Sequence, residues 1–220
     1  MAELNNEYSS REIVNYQVSG AKKKLYHASK EPKDGYVKIE LDSGKVTYHR
    51  YVQGLTGKMI KLVFNDGDFG KRLRFLLTDE TQTSAVDLVL DTAAYRAFID
   101  ATYNADFSKE LAIKFYDKKV QDKVYQNCFV YYPNDTIIEA GKEKNVTPNR
   151  LDNSDCPKGK LSKAGKWTFT EQEEWYYEKA EEMISRFEKF KLASKFDPKS
   201  VEKPVEKPKV FATDDSGLPF

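Results

Sequence analysis

The chain has little of what enzymes and secreted proteins usually display. It holds two cysteines, Cys128 and Cys156, and no CxxC pair. That excludes a disulfide framework, and inside a cell both thiols stay reduced. Two histidines, His27 and His49, are the only imidazoles, and their spacing from the cysteines matches no zinc motif. No metal and no other cofactor is expected. No apolar run approaches the ~18–20 residues that span a bilayer, so no membrane partner is expected. Residues 1–14 lack the basic-then-apolar pattern of an export signal, and an intracellular protein is the expectation. Glycine-rich phosphate loops, HExxH and GxSxG are all missing. No catalytic residue is nominated, and an enzyme is disfavoured.

A charge excess is missing too. The formal net charge is +1, and residues 1–160 carry 25 Lys and Arg against 23 Asp and Glu. Any nucleic-acid site therefore has to arise from local clustering.

What is present reads as β-structure. Residues 1–34 are polar, with Lys22, Lys23 and Lys24, and a strand is expected within 11–18. Residues 35–41 and 45–52 alternate around Asp42-Ser43-Gly44, the pattern of a hairpin. Strands follow at 58–64, 71–78 and 84–90. In the second, Leu73, Phe75 and Leu77 share one face and Arg72 and Arg74 the other. Asp91 is the expected cap of a short helix over 92–102. Two further strands follow, at 110–116 and 123–132; the first buries Leu111, Ile113 and Phe115 and exposes Lys114 and Tyr116.

Three strands, a helix and two strands is the element order of the OB-fold. The expected fold is mainly β: an OB-like five-stranded Greek-key barrel with the 35–52 hairpin added. Residues 133–166 read as loop. Thr170-Glu171-Gln172-Glu173 reads as a capping box, with Thr170 the cap. The helix it opens runs to about Leu192, with Tyr176, Ala180, Met183, Ile184, Phe187 and Phe190 in one stripe suited to core packing. From Ser194 prolines recur, and Val201-Glu202-Lys203-Pro204 repeats as Val205-Glu206-Lys207-Pro208, a flexible linker by composition. Four parts result: the barrel with its N-terminal extension and hairpin over 1–166, the amphipathic helix over 167–193, the linker over 194–213 and a tip over 214–220.

The tip reads Asp214-Asp215-Ser216-Gly217-Leu218-Pro219-Phe220. It resembles the C-terminal tip of bacterial single-stranded-DNA-binding proteins, in which aspartates precede an aliphatic residue, Pro and a terminal Phe. The likeness covers about seven residues directly, and the linker before them extends it in architecture. The Ser-Gly pair between the acids and Leu218 departs from the pattern, a departure that bears on pocket register in some partners. The body carries no motif of one subfamily, so a divergent, bacteriophage-encoded relative fits, working in the bacterial cytoplasm. The resemblance implies binding of single-stranded DNA in replication, recombination or repair. It also implies recruitment of partner proteins by Asp214, Asp215, Leu218, Pro219 and Phe220. A partner would bury the ring, hold the terminal carboxylate with Arg or Lys, and draw the acids to a basic rim.

Strand binding needs cations for phosphates and aromatic faces for bases. The candidates are Arg72, Arg74, Lys71 and Lys61, with Phe69 as a stacker in the 67–70 loop. Tyr48, Arg50 and Tyr51 on the hairpin, Lys114 and Tyr116, and Tyr131 extend the set. Two other readings stay open: a structural or adaptor β-barrel that binds no DNA, and an OB-fold RNA binder. The sequence leaves the oligomeric state open and is compatible with a homo-oligomer.

Overall fold

The computed structural model describes residues 13–19, 24–41, 43–67, 70–120, 122–161 and 165–195. In chain order the strands are β1 (Ile13–Val18), β2 (Leu25–Ser29), β3 (Val37–Glu40), β4 (Val46–Val52), β5 (Leu55–Gly67), β6 (Gly70–Thr78) and β7 (Thr83–Val89). The helix α1 (Ala93–Thr102) comes next, followed by β8 (Glu110–Val120), β9 (Lys123–Tyr131), β10 (Thr136–Glu139) and β11 (Lys142–Asn145). Two short strands, β12 (Lys160–Leu161) and β13 (Trp167–Thr168), precede the long helix α2 (Thr170–Lys195).

β1 to β9 form one mixed sheet in the order β3-β4-β2-β1-β7-β6-β5-β8-β9. Within it β5, β6 and β7 form an antiparallel meander. β8 returns through α1 to pair with β5, from Leu55 opposite Ile113 to Lys58 opposite Glu110. That order, fourth strand beside first, is a Greek key.

The sheet differs from the expected closed five-stranded barrel. Among the described residues no sheet closes. The free edge of β7 is taken by β1, which pairs in parallel from Ile13 opposite Thr83 to Gln17 opposite Asp87. Nor is the 35–52 hairpin an appendage, because β2 joins it to β1 by pairing with β4. The physical reason is burial. Tyr16 is 8% exposed and Leu25 fully buried, so these strands extend the core of β7. Their few apolar residues sit among lysines and polar groups, which hides the alternation.

One face of the sheet carries the core. Leu73, Phe75 and Leu77 of β6 lie beside Val86 and Leu88 of β7, and Leu111, Ile113 and Phe115 of β8 beside Cys128 and Val130 of β9. α1 covers them, with Phe98 stacked on Phe75 at 4.6 Å between ring centroids. α2 docks in cis on α1, burying Tyr176, Ala180, Met183 and Phe187 with Ile184 and Phe190 partly covered. The stripe read from the sequence is this docking face.

Helix starts are each shifted by one residue. Asp91 takes a left-handed φ of 66° that turns the chain out of β7. Thr92 therefore caps α1, its Oγ1 accepting from the Tyr95 N–H at 3.2 Å. In α2 the Glu173 N–H donates to the Phe169 carbonyl at 2.9 Å, so Thr170 is the first helical residue and not the cap. The 133–166 segment, expected as loop, contains the β10–β11 hairpin. Its turn uses Ala140 and Gly141, both at positive φ (51° and 74°), where Asn-Gly is the usual signal.

α1, α2 and the 151–153 segment are tied together at Asp100. Its carboxylate accepts from Tyr176 Oη at 3.0 Å and from Asn153 Nδ2 at 3.1 Å, and its carbonyl accepts from the Leu151 N–H at 2.9 Å. Burial raises the Asp100 carboxyl above its ordinary 3.8, against the lowering effect of those side-chain hydrogen bonds. A raised acid binds more protons folded than unfolded. Its contribution is therefore full below the ordinary value and is lost as pH climbs through the folded-state value. Asp100→Asn keeps an acceptor oxygen and removes the buried charge. We expect its melting temperature to exceed wild type at pH 7 and the two to converge near pH 4. A variant destabilised at pH 7 would show that the charge itself holds the junction.

Candidate nucleic-acid interface

The opposite face of the sheet is left uncovered by α1 and α2. Cross-strand partners share a face, so the register assigns each candidate side chain. Strict alternation along β5 would put Lys61 on the core side with Met59. A bulge between Met59 and Lys61 corrects this, pairing Lys61 with Leu76 and returning Leu62 to the core beside Phe75. Lys61 thus stands exposed on the open face. Arg72, opposite Asn65, and Arg74, opposite Val63, share that face. On β8 and β9, Lys114 pairs with Phe129, Tyr116 with Asn127, and Ala112 with Tyr131. Lys114, Tyr116 and Tyr131 therefore come together as the sequence suggested.

Phe129 completes this group. It is 42% exposed, its ring lies 5.6 Å from that of Tyr131, and Lys114 Nζ sits 5.3 Å from the Tyr131 ring centre. The sequence carries a signal for it: Phe129 and Tyr131 are two residues apart on one strand and alternate with the buried Cys128 and Val130.

A cavity of ≈ 350 Å³ opens beside this group, lined by Lys24, Gln53, Lys114, Phe115, Tyr116 and Phe129. The β4–β5 connection makes it. At Gly54 a Cβ would lie 2.7 Å from the Ile113 carbonyl oxygen and 2.6 Å from Lys114 Cγ. Only glycine lets this turn sit against β8, and the turn carries Gln53 to Lys114. Phe129 also borders a second cavity of ≈ 290 Å³, with Pro148 and Arg150 on its other wall. Arg150 is fixed there by donating to the Cys128 carbonyl at 2.7 Å and to Asn127 Oδ1 at 3.2 Å.

The other candidates separate. Arg74 makes a bidentate pair with Asp87, at 2.7 Å from Nε and 2.6 Å from Nη2, and that hydrogen-bonded carboxylate raises its pKa further. Its charge is already compensated. Arg72 Nε is buried without a hydrogen-bond partner. Lys71 lies on the helix side of β6, donating to Tyr177 Oη at 2.5 Å above the stacked rings of Phe64 and Tyr177. On the hairpin, Tyr51 faces the open side with Tyr26 and His49, which stack at 4.4 Å. Burial, then the neighbouring Tyr51, raises the Tyr26 phenol. Tyr48 and Arg50 point the opposite way, paired with Ser29 and His27. Phe69 and the tip residues Asp214, Asp215, Leu218, Pro219 and Phe220 lie outside the described residues.

Among the described residues no three His, Cys, Asp or Glu side chains are grouped to hold a metal ion, and no helix is long and apolar enough to cross a membrane. Comparison with protein-family models, curated proteins and solved structures returned no match.

Proposed function

We propose that the protein binds single-stranded DNA without sequence preference and that its 214–220 tip recruits replication, recombination or repair proteins. The observation that carries the reading is the lysine-and-aromatic group Lys114, Tyr116, Phe129 and Tyr131, with Lys61 farther along the same sheet face, a face that neither helix covers. Cations that track phosphates, interleaved with rings on which bases stack, are what such binding requires. The element order lends support, since β5, β6, β7, α1, β8 and β9 follow the OB order, although the candidate residues sit on the first, fourth and fifth of these strands and not on the second and third that OB-folds usually use. We read them as an OB-like core whose third strand has accepted β1 in place of closure. The tip, by its resemblance to bacterial single-stranded-DNA-binding proteins, supplies the recruiting half of the proposal.

Fluorescence anisotropy of a labelled oligo-dT at low and moderate salt, with duplex DNA and RNA as competitors, tests it. Tight, salt-sensitive, DNA-preferring binding is expected. Preference for RNA would favour the RNA-binding reading, and no binding at low salt would leave an adaptor protein. Lys61→Ala should lower the salt slope by about 0.7, one phosphate contact's share for a single strand. Removing Arg74 and Asp87 together should leave the slope unchanged, because the pair is neutral. Equal slopes for Lys61→Ala and wild type would move the strand off β5.

A further inference from the structure

The cavity between the β4–β5 turn and the β8–β9 hairpin holds more chemistry than a groove wall needs. Two lysines line it, Lys24 just ahead of β2 and Lys114 on β8, and these two strands are not neighbours in the sheet. Gln53 offers a carboxamide, donor and acceptor at once. Phe129 also lines it and is 42% exposed. Its volume of ≈ 350 Å³ lies at the small end of ligand pockets, about 300–1,000 Å³. That suits one nucleotide and is far too small for a run of them.

We infer that a strand crossing the open face turns one base out of its stack into this cavity. This rests on the single-stranded-DNA reading and adds to it a defined base subsite. Phe129 stacks on the base, the Gln53 carboxamide bonds its polar edge, and Lys24 and Lys114 hold the phosphates on either side. Unstacked bases are taken up on aromatic faces and read along their edges in this manner. The carboxamide matches any base by rotating, so the subsite anchors the strand without selecting sequence.

The test is a cycle between ring and base in the full-length protein. Affinity is measured for wild type, Phe129→Ala and Phe129→Trp against a dT oligonucleotide and an abasic strand of equal length. Stacking is worth ~1–3 kcal/mol per base, so Phe129→Ala should weaken dT binding by about 5- to 150-fold. Phe129→Trp should restore it. On the abasic strand wild type and Phe129→Ala should bind alike. Phe129 is outside the core, so the melting temperature of the variant should match wild type and a folding defect would be seen separately. Wild type that fails to bind dT would overturn the DNA reading and this subsite together. Wild type that binds dT while Phe129→Ala binds it equally well, or loses as much on the abasic strand, would overturn the subsite and leave the DNA reading standing. Displacement of dT by thymidine monophosphate at equal nucleotide concentration would also overturn it, since the cavity would then serve a free nucleotide.

Discussion

Phe187→Ala is expected to lower the unfolding free energy by about 3–5 kcal/mol, the usual range for a buried aromatic truncated to alanine. Phe187 is 2% exposed and meets Phe107 edge-on at 5.3 Å. It is the last buried residue of the stripe that runs from Tyr176 to Phe190. The stripe holds α2 to α1 through Ala180 and Met183, and Thr102 Oγ1 donates to the Met183 sulfur at 3.4 Å. Removing the ring opens a cavity that the surrounding backbone cannot collapse to fill, because Phe107 and α1 are anchored to β8 and β9. Against a typical total of about 5–15 kcal/mol such a loss is severe. Urea unfolding followed by far-ultraviolet circular dichroism measures it, at two protein concentrations. A loss below about 1 kcal/mol would mean that the helix is not docked on its own sheet. A midpoint that shifts with concentration would mean that it docks on another copy.

The second large effect concerns the tip. Deleting Leu218–Phe220 should abolish capture of a replication or recombination factor with a pocket for the bacterial-type tip. It should leave oligo-dT affinity within about twofold, since no phosphate or stacking contact is removed. Burying a Leu or Phe side chain is worth about 1.5–3 kcal/mol each. Losing both removes about 3–6 kcal/mol, or from about a hundredfold to more than 10⁴-fold in affinity. Pro219 between them limits the backbone freedom lost on docking. Asp214 and Asp215 add attraction to a basic rim, so their replacement by Asn should mainly slow association and flatten its salt dependence. Surface capture of such a factor on immobilised full-length and truncated protein separates these effects. Undiminished capture after truncation would place recruitment elsewhere in the chain. Loss of dT binding on truncation would show that the tip belongs to the strand site.

Both predictions combine local patterns with long-range facts, and the division between the two has a physical cause. Alternation with period two and stripes with period 3.6 are local, so β6, β7, β8 and α2 could be read directly. Phe75 and Phe115 fall inside, and Lys114 and Tyr116 outside, because a strand has only two faces. The same rule sets Tyr51 on the opposite face from Tyr48 and Arg50. Local patterning therefore establishes a mainly β chain with an amphipathic C-terminal helix, the inward and outward residues of its strongest strands, and an acidic tip ending in Leu-Pro-Phe.

Tertiary structure decided the rest. Pairing energy between segments dozens of residues apart leaves no periodic trace in either one. β1 joins β7 in parallel across 70 positions, Ile13 to Thr83, and no local pattern announces that it replaces closure of the barrel. The bulge that returns Lys61 to the open face lies just beyond the last β5–β8 pair, Lys58 opposite Glu110, and no local pattern in β5 marks it. Arg74 and Lys71 read as equivalent cations until Asp87 and Tyr177 were brought beside them. The cavity arises where Gly54 lets one turn rest on a strand some sixty residues later, a contact decided by the absence of a side chain and visible only once both segments are in place.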